Sequence, residues 1–234
     1  MRPLRSQELV ESIIALIDRE GLGAGDPLPP EHKLMTEFDA ARNSVREAVR
    51  TLQALGIVDI RHGHGTFVGT ASMTALIPSL LFRTRARSRE DLSGLHDLME
   101  VRQILETDLT QRVAAHPPAH LLDALQECVE RMRVPGTAPA ADREFHQLIG
   151  AAAGNDLALE LIRLFWEVYQ QAESLVGPTL STSDTLVAKH QRIVDAIRGG
   201  ERTAITEAVR HHFDEIRERI EAREGRPVSG PAGP

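Results

Sequence analysis

Between Gly25 and Val68 the chain reads GDPLPPEHKLMTEFDAARNSVREAVRTLQALGIVDIRHGHGTFV. The order of turn formers and periodic runs in this stretch admits few folds. Residues 21–30 are rich in Gly and Pro and read as turn material. Glu31 to Phe38 has the pattern of a short helix, and Arg42 to Leu55 that of a second, with Gly56 as its stop. Ile57–Arg61 and Thr66–Val68 are β-branched enough for strands. Between them Gly63-His64-Gly65 supplies the permissive backbone of a hairpin tip. Upstream, Leu9, Ile13, Leu16 and Ile17 recur at helical spacing over residues 5–20, ended by Gly21. Helix, tight turn, helix, strand, glycine tip and strand is the order of a winged helix-turn-helix, whose second helix enters the DNA major groove.

A helix in that position presents its N-terminal residues to base edges, where arginine can pair bidentately with guanine. Arg42 and Arg46 are four apart and share a face, and Arg50 continues it. Asn43 and Ser44 are short polar groups suited to phosphate or base contacts. Val45, Ala48, Val49 and Leu52 face the other way. Taken alone, this is better read as an ordinary amphipathic helix with solvated arginines. The turn, strands and glycine tip at the right distances favour a reading helix. The formal net charge of −7 argues against promiscuous DNA binding, and residues 1–70 hold 8 Lys and Arg against 10 Asp and Glu. A sequence-specific reader needs only a local positive surface, which Arg42, Arg46, Arg50, Arg61, His62 and His64 supply.

The rest of the chain is helical in period. Aromatics are 3% of 234 residues, so any core is built from Leu, Ile, Val and Ala, which favours packed helices over sandwiches. Helices are expected near 75–84, 89–115, 119–132, 140–153, 156–176, 184–198 and 201–223, punctuated by Pro and Gly. The fold class is therefore mainly α: a winged helix-turn-helix over 1–69, a linker over 70–75, an all-helical bundle over 76–224 and a disordered tail over 225–234. The single cysteine, Cys128, excludes an internal disulfide framework. With no long apolar run and no signal-peptide core, the chain is expected in the cytoplasm, away from membranes.

Three histidines and an aspartate sit on apolar stripes of this helical half. Asp142, His146 and Ile149 share one stripe, as do Leu186, His190, Ile193 and Ile197, and then Ile205, Val209, His212 and Ile216. Each histidine alone is better read as a core residue hydrogen-bonded to a neighbour. Together they suit a divalent transition metal, with zinc favoured and nickel or manganese also compatible. His211 is expected at a solvated helix edge, and His96, His116 and His120 at surfaces or helix ends. Arg102 interrupts the stripe Leu98, Leu105, Leu109, so an inward cation needs an anion. Glu106, Glu100 or a bound organic acid could each provide it.

These residues resemble the GntR family of bacterial transcription regulators over roughly 9–68. The resemblance is carried by Gly25-Asp26, Leu28-Pro29-x-Glu31, Arg42-x-x-Val45-Arg46-Glu47-Ala48, Leu52, Gly56 and His62-Gly63-x-Gly65-Thr66-Phe67-Val68. It implies a homodimer on an inverted repeat of double-stranded DNA, with Arg42 and Arg46 reading bases and His62-Gly63 placing a wing in the minor groove. Ala41 stands where the family usually has a hydroxyl, and His32 where it often has a DNA-contacting arginine. Residues 76–222 resemble the FCD ligand domain of the family's FadR branch, with six to seven helices. Its marks are Glu100-x-Arg102-x-x-Leu-Glu106, Asp142-x-x-x-His146, Gly154-Asn155, His190 and His212. The resemblance implies a metal held by Asp142, His146, His190 and His212, and a small carboxylic acid effector, with Arg102 and Asn155 as effector-binding residues. Lys189 replaces an acidic residue common before the histidine.

The leading reading is a DNA-binding regulator, most often a repressor in this family, controlled by a carboxylate at the metal site. A metal-responsive regulator is the alternative. A metal-dependent enzyme is weaker, since four ligands nearly fill a tetrahedral site and no separate general base or nucleophile motif is present.

Overall fold

The computed structural model describes residues 6–88, 92–176 and 183–224. The expected tail, the start of the second long helix at 89–91 and part of the 176–178 break lie outside them. The chain divides into two compact units, Met1–Leu76 and Ile77–Pro234.

In the first unit, α1 (Ser6–Glu20), α2 (Glu31–Glu37) and α3 (Arg42–Ala54) precede β1 (Val58–Arg61) and β2 (Gly65–Val68). The helical spacing of Leu9, Ile13 and Leu16 becomes a buried seam of α1, closed by Leu34 of α2 and by Val45, Ala48 and Leu52 of α3. Gly56 ends α3 at φ +71°, and Gly63 and Gly65 take φ +76° and +108° at the hairpin tip, a region closed to most side chains. β1 and β2 pair antiparallel, Val58 opposite Val68 and Arg61 opposite Gly65. One feature differs from the sequence reading. The Gly- and Pro-rich segment expected as turn pairs with β2: Leu28 N–H donates to Thr66 O and Gly25 N–H to Val68 O, both at 2.8 Å. Pro27 is tolerated there because it faces Phe67 only through an isolated bridge.

The second unit contains α4 (Ile77–Arg87), α5 (Ser93–Ala115), α6 (Leu121–Arg131), α7 (Ala138–Ala152), α8 (Asp156–Ala172), α9 (Ser183–Gly199) and α10 (Arg202–Glu224). These are all α-helices among the described residues. A short 3-10 turn over Met73–Leu76 leads directly into α4. α5 is the central helix, packed by α4, α7, α8, α9 and α10. It approaches α4 closely at Gly94, where a Cβ would meet Thr84 O at 2.5 Å and Arg87 Cβ at 2.9 Å. Fully buried Leu95, Leu109, Leu125, Phe145, Ile162 and Ile193 fill the bundle.

Candidate functional site

On the first unit, Arg42, Asn43, Arg46 and Arg50 are exposed on α3 and Ser44 is half-buried, while Val45, Ala48, Val49 and Leu52 face inward. The cap position of α3 is Ala41, with no side-chain hydrogen bond to the open N–H groups. Glu31 accepts from Arg46 Nε at 3.0 and 3.1 Å. The second of the two leading arginines is thereby oriented by the start of α2. His32 is exposed on α2, and His62 and Gly63 are exposed at the hairpin tip. Below the tip, Arg61 lies over the Phe67 ring at 4.1 Å, which stiffens the base of the wing.

In the second unit the three apolar stripes converge. Asp142 and His146 from α7, His190 from α9 and His212 from α10 each bring one donor atom within 4.8 Å of the others. His146 and His190 are buried, at 2% and 0% exposure. Neighbours fix the ring orientations. His146 Nδ1 lies 2.7 Å from Glu106 Oε2, and His190 Nδ1 lies 2.9 Å from the Leu186 carbonyl. Both contacts leave Nε2 toward the cluster. Asp142 Oδ1 is 2.8 Å from His190 Nε2 and 3.5 Å from His146 Nε2, and Trp166 Nε1 donates to its other oxygen at 3.1 Å.

His146 Nε2, His190 Nε2 and His212 Nδ1 are buried without a hydrogen-bond partner among the described residues. Asp142 approaches two of them closely without making a hydrogen bond to either. Three orphaned imidazole nitrogens around one carboxylate oxygen is a costly arrangement for a plain core and a fitting one for a divalent ion. The electrostatics agree. Burial opposes charging His146, yet Glu106 and Asp142 raise it to about 9. Burial and the neighbouring His190 and His146 hold His212 well below the usual histidine range. Against its burial, the two histidines keep Asp142 well below the usual carboxylate range.

Arg102 is buried, and its Nε donates to Glu106 Oε1 at 2.5 Å. Glu100 is exposed, so Glu106 is the internal partner. Despite burial, Arg102 and His146 lower the Glu106 carboxyl to about 2. Arg102, Asp142 and His212 line a cavity of about 390 Å³, together with Tyr169, Lys189 and Arg219. Asn155 is placed elsewhere. It is exposed at the start of α8, where its Oδ1 accepts from Ala158 N–H at 3.1 Å, and it is not among the residues lining the cavity. A short polar residue after Gly154 caps a helix here. His96, His116 and His120 are exposed, and His211 pairs with Asp214 at 3.0 Å.

Two functional contacts escaped the sequence reading: Glu106 to His146, and Trp166 to Asp142. The first joins α5 to α7 and the second α7 to α8, and no local periodicity announces either.

A winged helix-turn-helix followed by an all-helical unit defines the class: a DNA-binding transcription regulator. Residues 5–68 match the model of bacterial regulatory proteins of the gntR family, and residues 97–215 match that of the FCD domain. The chain belongs to the GntR family, in its FadR/FCD branch. It is 30% identical over 217 residues to an Escherichia coli K12 protein named for regulation of the L-lactate dehydrogenase operon, covering 89% of this chain and 83% of that protein. It is 26% identical to the HTH-type transcriptional repressor NanR of the same strain, over 92% of this chain and 85% of NanR. The fold is similar to that of Streptococcus agalactiae GntR, with a TM-score of 0.62 at 23% identity, covering 91% and 99% of the two chains. These relatives are regulators rather than enzymes. No helix among the described residues is long and apolar enough to cross a membrane.

Proposed function

We propose that this regulator is a homodimeric, cytoplasmic repressor of operators with inverted-repeat symmetry, relieved by a small carboxylate bound beside a metal in the second unit. The division of labour follows the expected domains, with DNA reading in residues 1–69 and effector binding and dimerisation in 76–224. Arg42 and Arg46 read bases, Asn43, Ser44, Arg50 and His32 contact the duplex nearby, and His62-Gly63 enters the minor groove. The repressor assignment leans on the printed name of the NanR relative.

The observation that carries the effector reading is the set of three orphaned imidazole nitrogens around Asp142, two members of which, Asp142 and His212, line one cavity with buried Arg102. A divalent ion held by Asp142, His146, His190 and His212 supplies positive charge and coordination to an incoming carboxylate. Arg102, already fixed through Nε by Glu106, offers its remaining N–H groups to the same carboxylate. Glu106 holds Arg102 with one oxygen and His146 with the other, so ligand and metal share one support. Control of DNA binding then requires that the acid favour one of two arrangements of the protein over the other.

Thermal melting against a panel of small carboxylates, on metal-loaded and chelator-stripped protein, tests this. A ligand at about 100 times its dissociation constant stabilises by roughly 2.7 kcal/mol. A shift lost on stripping and in Arg102→Ala supports the reading. A shift with no acid, alongside DNA affinity that follows free metal, replaces it with a metal-responsive regulator.

A further inference from the structure

Arg46 is tied to α2 through its Nε. That N–H is shared between the two oxygens of Glu31, at 3.1 and 3.0 Å. Glu31 opens α2 and Arg46 lies in the second turn of α3, so the contact bridges the two helices of the reader. Of Arg42, Arg46 and Arg50, Arg46 is the one held by an ion pair among the described residues. The two side chains are 54% and 41% exposed. A pair so open to water contributes little to folding, so stability does not account for it.

The tie restricts what the guanidinium can present. Arginine meets a base bidentately through its side edge, Nε with one Nη, or through its end edge, both Nη. With Nε shared by Glu31, the end edge remains, two N–H groups held side by side. Guanine matches them with O6 and N7. Adenine sets a donor beside its N7, cytosine offers only a donor, and thymine offers one acceptor beside a methyl. A tethered fork also has less freedom to swing from a mismatched base to a phosphate. Charge works in the same direction. Glu31 cancels the charge of Arg46, which lowers its attraction for any phosphate regardless of sequence. Residues 1–70 already carry 8 Lys and Arg against 10 Asp and Glu, so this reader depends on matched bases more than on general attraction.

We propose that Glu31 is a specificity-determining residue of the DNA reader. It holds Arg46 end-on, so that both Nη groups read a guanine, and it cancels the attraction of Arg46 for phosphate. This inference rests on the base-reading role of Arg46 above and adds the base it reads and the residue that positions it.

The test uses the full-length protein and the duplex it selects from a random-sequence pool, with all four bases placed in turn at each half-site position. The position whose preference Arg46→Ala abolishes locates that contact, and Arg42→Ala locates a control position. Guanine is expected at the Arg46 position, favoured by about 5- to 150-fold. Glu31→Ala is expected to cut that preference to about threefold or less and to leave the Arg42 position unchanged. The same variant is expected to bind unrelated duplex more tightly, with a log–log salt slope steeper by about 0.9. Glu31→Asp keeps the charge but is one methylene short of Nε. It is expected to lose the guanine preference without the gain on unrelated DNA, and it carries the test if the alanine variant does not fold. A base other than guanine at the Arg46 position overturns the proposal. So does a Glu31 variant that keeps the full preference there, or loses it equally at the Arg42 position. Unrelated DNA bound no more tightly by Glu31→Ala overturns the charge-cancelling half. In each case the base-reading role of Arg46 stands. If Arg46→Ala alters the preference at no position, that role falls and the proposal with it.

Discussion

Glu106 Oε2 lies 2.7 Å from His146 Nδ1 while Oε1 of the same carboxylate takes the Arg102 Nε. One side chain on α5 thus fixes both the ring of a proposed metal ligand and the proposed anchor of the effector. Such outer partners typically contribute 10–100-fold to metal affinity. Glu106→Gln is expected to weaken metal binding by about that factor in a chelator competition. Wild-type affinity in the variant would remove Glu106 from the site.

Metal uptake should depend on pH through His146. Its pKa of about 9 lies above its ordinary 6.5, so near neutrality His146 carries a proton that a metal must displace. Asp142 and His212 are shifted toward their metal-binding forms and add no proton. Apparent affinity is expected to rise about tenfold per pH unit between roughly pH 6.5 and 8.5. The metal-free protein should move the opposite way. A raised folded pKa stabilises fully below 6.5 and the benefit is lost as pH climbs through 9. Melting of stripped protein across that window checks the sign.

Replacing Arg42 by Ala should cost about 1–3 kcal/mol at a specific site and relax the preference at one position of each half-site. Arg46→Ala should do the same at another position. Gel shifts unchanged by both would relocate the reading surface away from α3.

Gly94→Ala should lower stability by about 1–3 kcal/mol, because the added methyl meets α4 backbone with no flexible tip to yield. The distances of 2.5 and 2.9 Å to Thr84 O and Arg87 Cβ leave no space without separating the helices. A thermal melt equal to wild type would show that α4 moves aside at little cost.

The elements themselves were legible in the residues. Helical period placed His146, His190 and His212 on inward stripes, and Gly56, Gly63 and Gly65 marked the stops and the hairpin tip. Those signals are local, each lying within a few residues of what it specifies. What remained hidden depends on chain segments far apart in sequence. Gly25–Leu28 reads as a turn because Gly and Pro dominate it, yet β2 offers its free edge and the backbone pairs. Trp166 reaches Asp142 across 24 positions, and Lys189 reaches Glu215 across 26. Asn155 caps α8, and in sequence a polar residue after glycine fits a ligand site and a helix cap equally well.

The most direct measurement is the affinity of the metal-loaded protein for a duplex selected from a random-sequence pool, with and without the acid that stabilises it most. The account predicts an inverted-repeat duplex whose dissociation constant rises roughly tenfold or more with the acid, an effect absent in Arg102→Ala. An affinity unmoved by every stabilising acid would contradict it.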